Sequence, residues 1–259
     1  YASNGTVGFY TGYETLDVSP SDVLTSATFD YKQMAGNVTI SGLEQIQNSG
    51  TEAVINLLES RIGVLEKTMS NILSTSLYSD GTGTNGKEVG GLQLLVADAG
   101  TGTVGGINSS TFTFFQNAQT TATSSAFSTT NIQADMNTIY LSLVRGSDSP
   151  DLIMADTNSY KSFLGSLQAI QRVTSDRVAT SGFTSVQYLN SDVIFDDACP
   201  TNKMYFLNTD YLRLEVAANR NFVPGEAKMS VNQDAMVTPM FWSGNLTVSN
   251  RALQGVIHV

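Results

Sequence analysis

The sequence predicts an α+β protein, and three observations carry that reading. Apolar residues recur at helical spacing from Leu43 to Tyr78, which marks one long amphipathic helix. Between Leu92 and Phe206, short apolar runs alternate with helical patterns, as in a sheet with helices packed on it. Ahead of both lies TSATFDYKQMAGNVTISG, Thr25 to Gly42, which reads as two short strands joined at Ala35-Gly36-Asn37.

That first element raises a question of partnership. A two-stranded hairpin is marginal in water, because one turn and a few cross-strand pairs do not offset the entropy of ordering it. The preceding GFYTGYETLDVSPSDVL contains Pro20, Gly8 and Gly12 and has no helical period, so it supplies no sheet to lie on. The hairpin is therefore expected to be buried by another copy of the chain.

In the long helix the pattern runs Leu43, Ile46, Ala53, Val54, Leu57, Leu58, Ile62, Leu65, Met69, Ile72, Leu73, Leu77, at intervals of three and four. Ser41 or Gly42 can cap its start with Glu44 in the first turn, and Asp80-Gly81 ends it. Gly50 and Gly63 each weaken continuity by ~1 kcal/mol relative to Ala. At ~1.5 Å per residue such a helix is a rod of about 50 Å. Its narrow stripe calls for a sheet along it, and LRLEVA (Leu212 to Ala217) and GNLTVSN (Gly244 to Asn250) are the candidate strands.

The following region reads as a strand LQLLVA, a Ser/Thr/Gly-rich stretch to Thr130, a helix from Asn131 to Arg145 and a strand DLIMA. A helix from Asn158 to Val173 and strands SVQYL, DVIFD and KMYFL complete it, and QGVIHV is a terminal strand.

Composition excludes several classes of function. Charged residues are 14% of the 259, against roughly 25% in an average soluble domain. The net charge of -10 comes from 23 acidic and 13 scattered basic residues, so no basic stripe exists for tight phosphate binding. Cys199 is the only cysteine, which excludes an internal disulfide and a thiolate metal cluster. No apolar run approaches the ~20 residues that span a bilayer as a helix.

Four motifs suggest chemistry and each falls short. GTGTNGKE (Gly81 to Glu88) begins as a phosphate-binding loop, but Glu88 stands where Mg²⁺ needs a hydroxyl. GTGTVG (Gly100 to Gly105) matches a dinucleotide fingerprint, yet no acid occurs between Asp98 and Asp135 to hold a ribose. His258, the only histidine, would have to carry any triad or zinc site alone. The acids Asp148, Asp151, Asp196 and Asp197 could pair for glycoside hydrolysis, but they sit beside turn residues or on opposite faces of one strand. No nucleotide, metal or redox cofactor is expected.

The order of parts is more specific than any motif: hairpin, long helix, glycine loop, KEVGGLQLLV, α/β insert, then MFWSGNLTVSNRALQGVIHV. This order resembles the major capsid proteins of tailed bacteriophages, with the Hong Kong 97-like fold, over essentially the whole chain. The resemblance implies an N-terminal arm remnant at 1–8 and an E-loop hairpin at 9–42. It also implies a peripheral domain with its spine helix at 43–91 and 207–250, and an axial domain at 92–206 and 251–259. An arm this short, in a chain beginning at Tyr1, is what a maturation protease would leave.

By the same resemblance the protein is a structural shell subunit and not an enzyme. It would assemble with itself into hexamers and pentamers of an icosahedral shell in the host cytoplasm, enclose double-stranded DNA without specific binding, and reside in the virion. Portal, scaffold and decoration proteins would be its partners, with no membrane involved. The hairpin would reach over a neighbour, placing Phe29, Tyr31, Lys32, Met34 and Asn37 at the interface. Some family members join an E-loop Lys to an Asn of a neighbour; Asn232, Asn245 and Asn250 are available here, but DYKQMAG offers no apolar pocket to neutralise Lys32, so non-covalent contacts are expected.

Two rival readings remain. An encapsulin shares the fold but encloses enzyme cargo, and the absence of an N-terminal helix to hold a cargo peptide argues against it. A secreted hydrolase using Asp196 or Asp151 is disfavoured by the single His and single Trp.

Overall fold

Where the sequence suggests a hairpin, the chain makes one uninterrupted strand, β1 (Lys32–Ser41). The structure, a computed structural model, describes residues 4–19, 26–47, 51–167 and 186–259. The partner of β1 is β12 (Ala235–Val248), antiparallel from Lys32↔Gly244 to Ser41↔Ala235. The expected turn at Ala35-Gly36-Asn37 is thus corrected to mid-strand, and the burial partner comes from the same chain. Gly36 is there for close approach: a Cβ on it would overlap Leu65 Cδ1 of the helix above.

After β1 come α1 (Gly42–Gln47) and α2 (Thr51–Ser76). Continuity between them, expected of one helix from Leu43 to Tyr78, falls at 48–50, outside the described residues, as do the side chains of Ala53, Val54 and Leu57. From Leu58 onward, Ile62, Leu65, Met69, Leu73 and Leu77 form the buried stripe. They pack on Met34 of β1, Met240 and Trp242 of β12, and Val216. Leu43, Ile46 and Ile72, read from spacing as part of that stripe, are exposed instead.

A turn α3 (Gly83–Gly86), with Thr84 and Asn85 at positive φ, leads to α4 (Leu92–Leu95). The expected strand LQLLVA is therefore a helical turn. Gly91 starts it against the carbonyl of Leu77, where a Cβ would overlap backbone, and Leu92 N donates to Leu77 O at 2.7 Å. A wholly buried apolar run carries no periodicity that separates strand from helix.

The insert follows as β2 (Thr103–Val104), β3 (Ile107–Asn108), β4 (Ala118–Thr121), α5 (Ile132–Leu143), β5 (Leu152–Ala155) and α6 (Thr157–Leu167). It continues with β6 (Val186–Tyr188), β7 (Ser191–Phe195) and β8 (Lys203–Leu207); the expected extension of α6 to Val173 lies outside the described residues. The chain then returns through β9 (Leu212–Val216), β10 (Val223–Pro224), β11 (Lys228–Met229), β12 and β13 (Gly255–His258).

Two main sheets result. In the first, β12 is flanked by β1 on one side and by β9, β10 and β11 on the other. The second has the order β4-β13-β8-β5-β7-β6. Its central strands are covered on both faces, which is why KMYFL and LIMA read as unbroken apolar runs. Met204, Phe206, Ile153 and Ile257 pack under α5 and α6; Tyr205, Leu207, Met154 and Val256 face Leu95, Val96 and Tyr78. The chain crosses from the first sheet to the second between β12 and β13, where Asn250 Oδ1 accepts from Ala252 N at 3.2 Å.

Candidate functional site

The segment 26–41, where sequence reading puts the inter-subunit contacts, is tied to its own chain along one side. Thr28 N donates to Gly105 O at 3.0 Å, and Ala27 and Phe29 pack against the cluster that holds Val104 and Ile107. Asp30 O accepts from Asn245 Nδ2 at 2.8 Å, while Asn245 Oδ1 accepts from Gly90 N at 3.2 Å. Lys32 Nζ donates to Gly86 O at 2.6 Å. Phe29, Lys32 and Met34 thus turn toward their own chain. Tyr31, 63% exposed, and Asn37 turn outward.

At the far end of β1 a charged corner closes the strand into α1. Ser41 N donates to Glu44 Oε2 at 3.1 Å and Glu44 N to Ser41 Oγ at 3.3 Å, a reciprocal cap written in the sequence as Ser41-x-x-Glu44. Arg61 of α2 bridges to it, with Nη2 2.7 Å from Glu44 Oε1 and Nη1 2.6 Å from Thr39 O. The guanidinium hydrogen bond, then the Ser41 amide, hold the Glu44 carboxyl down to about 2.

Sequence reasoning missed a second outward surface. In residues 4–19 the side chains of Val7, Phe9, Tyr10, Tyr13, Leu16 and Val18 are all exposed. Their high apolar content without a helical period was the available signal.

The tempting motifs hold structure together. Glu88 accepts from Ser79 Oγ at 3.2 Å and Thr84 Oγ1 at 3.0 Å, closing the glycine turn. Gly100 to Gly105 leads into the β2–β3 hairpin on which Thr28 rests. Asp196 Oδ2 accepts from Tyr78 Oη at 2.8 Å, Asp148 Oδ2 from Tyr211 Oη at 3.0 Å, and Asp151 from the amide and hydroxyl of Thr209. His258 Nε2 lies 3.3 Å from Gln119 Oε1. Cys199 is buried, and that burial pushes its thiol up to about 12, away from thiolate chemistry. Among the described residues no group of three or more His, Cys, Asp or Glu could hold a metal, and no helix is long and apolar enough to cross a membrane.

One buried charge stands at the crossing between the sheets. Arg251 is fully buried; its Nε donates to Leu95 O at 2.5 Å and its Nη1 to Ser109 Oγ at 2.9 Å. Nη2 has no partner among the described residues, and desolvation lowers the guanidinium to about 10.

No family model matches the chain, and no curated protein does. Solved structures do. The capsid of cyanophage A-1(L) aligns at a TM-score of 0.63 with 18% identity, over 88% of this chain and 76% of that one. The SrpI encapsulin complex from Synechococcus elongatus aligns at 0.63 with 10% identity, over 88% and 73%. The capsid of Myoviridae phage XM1 aligns at 0.57 with 10% identity, over 88% and 73%. The chain therefore has the mixed helix-and-sheet fold of these shell proteins, the Hong Kong 97-like fold that the sequence resemblance implies.

Proposed function

We propose that this chain is the major capsid protein of a tailed bacteriophage, assembling with itself into the icosahedral shell around the genome. The observation that carries the reading is the shared fold over 88% of the chain with the cyanophage and XM1 capsids. The exposed apolar side chains of 4–19 support it, since a subunit that works alone has no use for so much uncovered surface. Residues 43–91 and 207–250 then form the peripheral domain, to which β1 adds a strand, with α2 as the spine. Residues 92–206 and 251–259 form the axial domain.

The weakly charged, acidic chain suits a wall that encloses DNA without condensing it. Assembly in the host cytoplasm, residence in the virion, and contacts with portal, scaffold or decoration proteins belong to this reading. So does the absence of catalysis, supported by the engagement of Asp148, Asp151 and Asp196 in hydrogen bonds to Tyr and Thr groups.

An encapsulin shell is the second reading, favoured by the SrpI alignment at an equal TM-score. Sedimentation and negative-stain imaging of the purified protein test the shared part: closed megadalton particles are expected, and a persistent 27.7 kDa monomer overturns it. Nuclease-protected double-stranded DNA in particles from infected cells is expected of the phage shell. Enzyme cargo without DNA would assign the encapsulin reading instead.

A further inference from the structure

The outer rim of β1 is open to a further strand. In an antiparallel pair the N–H and C=O of one residue point to the same side, and the side alternates along the strand. Thr39 turns its carbonyl away from β12, to Arg61 Nη1 at 2.6 Å, and Ser41 turns its N–H the same way, to Glu44 Oε2 at 3.1 Å. The odd-numbered residues of β1 therefore present their backbone groups at the rim, and β1 is the edge strand of its sheet. At Thr39 and Ser41 those groups are covered by side chains. At Gln33, Ala35 and Asn37 no partner covers them among the described residues. Natural edges are ordinarily guarded along their length, and here the guard stops at Thr39.

Beside the rim runs a groove of about 400 Å³ between β1 and α2. Its apolar wall is Val38, Leu65 and Val64, the last 65% exposed, and Arg61 is its only charged lining residue. A free strand edge next to an apolar slot is the arrangement that binds an added strand: main-chain bonds supply affinity and the slot selects a side chain.

We propose that this rim receives residues 4–19 of a second copy of the chain, added as a strand beside Gln33–Asn37 with an aromatic side chain in the groove against Val64. Phe9 and Tyr13 are fully exposed in their own chain, so the segment carries the apolar groups the slot lacks. The segment's only charges are Glu14 and Asp17, opposite in sign to Arg61. In the single chain, rim and segment are open at once, so closing one with the other calls for a second copy. The proposal rests on the self-assembly reading and names the surface through which it acts.

Two variants of the full chain test it. Ala35→Pro removes one outward N–H while leaving the β12 bonds, a position at which an edge strand tolerates proline. It should fold with unchanged circular dichroism and lose closed shells; shells at normal yield overturn the proposal. Separately, Phe9→Cys and Val64→Cys chains are mixed under mild oxidation, with Cys199 buried and out of reach. A disulfide-linked band at twice 27.7 kDa, in the mixture only, is expected. Its absence overturns the proposal, including where Ala35→Pro fails to fold. A dimer from Val64→Cys alone, or an internal bond in the double variant, overturns it too by naming a different occupant. If wild-type protein makes no shells the assembly reading falls by itself, and the mixed-cysteine result still decides the docking surface.

Discussion

Glu44 shows how one exposed side chain can set local structure. It caps α1, accepts from Ser41 N, and holds the Arg61 guanidinium over Thr39 O, so one carboxylate closes the rim of β1. Its pKa lies near 2 against an ordinary 4.5, lowered first by Arg61 and then by Ser41. A carboxyl with a depressed folded pKa contributes stability above its ordinary value and loses it as pH falls toward the folded one. The corner should therefore hold at pH 5 and open between 4.5 and about 2. Amide exchange at Ser41 and Thr39 should rise over that window in wild type, and be fast at all pH in Glu44→Gln. Slow, pH-independent exchange in Glu44→Gln would show that the corner closes without the carboxylate.

Among the elements, α2 bears on the first sheet through few side chains, with Met69 the most deeply buried. Met69→Ala removes a buried thioether between Gly36 and the β12 core, and should cost ~2 to 5 kcal/mol in urea unfolding. Ile72→Ala, on the exposed side, should change stability by less than ~0.5 kcal/mol; equal losses at the two positions would mean the stripe is misassigned. The same helix marks what the sequence could tell. Its period placed Ile62, Leu65, Met69 and Leu73 correctly, and alternating patterns placed α5, β5, β7, β8 and β13. The misreadings share a cause. Ala35-Gly36-Asn37 has the composition of a turn, but Gly36 is small because Leu65 of α2 lies over it, a contact 29 positions away that no local pattern records. Likewise β1 finds its partner in β12, some 200 residues later, so its rim and the covering Arg61 could not be read from the strand itself.

The whole molecule is two sheets joined by one crossing strand, and the question is whether they unfold together. Three features couple them. The cluster around Tyr205 and Val256 of the second sheet includes Tyr78, just after α2, and Val248 of β12. Tyr78 Oη also donates to Asp196 at the end of β7. At the crossing, Arg251 holds Leu95 O and Ser109 Oγ with a guanidinium that has no carboxylate to offset its burial. A desolvated cation costs stability, yet truncating it would leave a cavity and an orphaned carbonyl. Trp242, the only tryptophan, reports on the first sheet, and amide exchange in β8 and β13 reports on the second. Coincident probes are the signature of one cooperative unit. In the unassembled full chain the two signals should be lost at the same urea concentration, and Arg251→Ala should lower both midpoints together. Were Trp242 fluorescence lost while β8 and β13 stayed protected, the crossing strand would be a tether between independent units and Arg251 merely a local support.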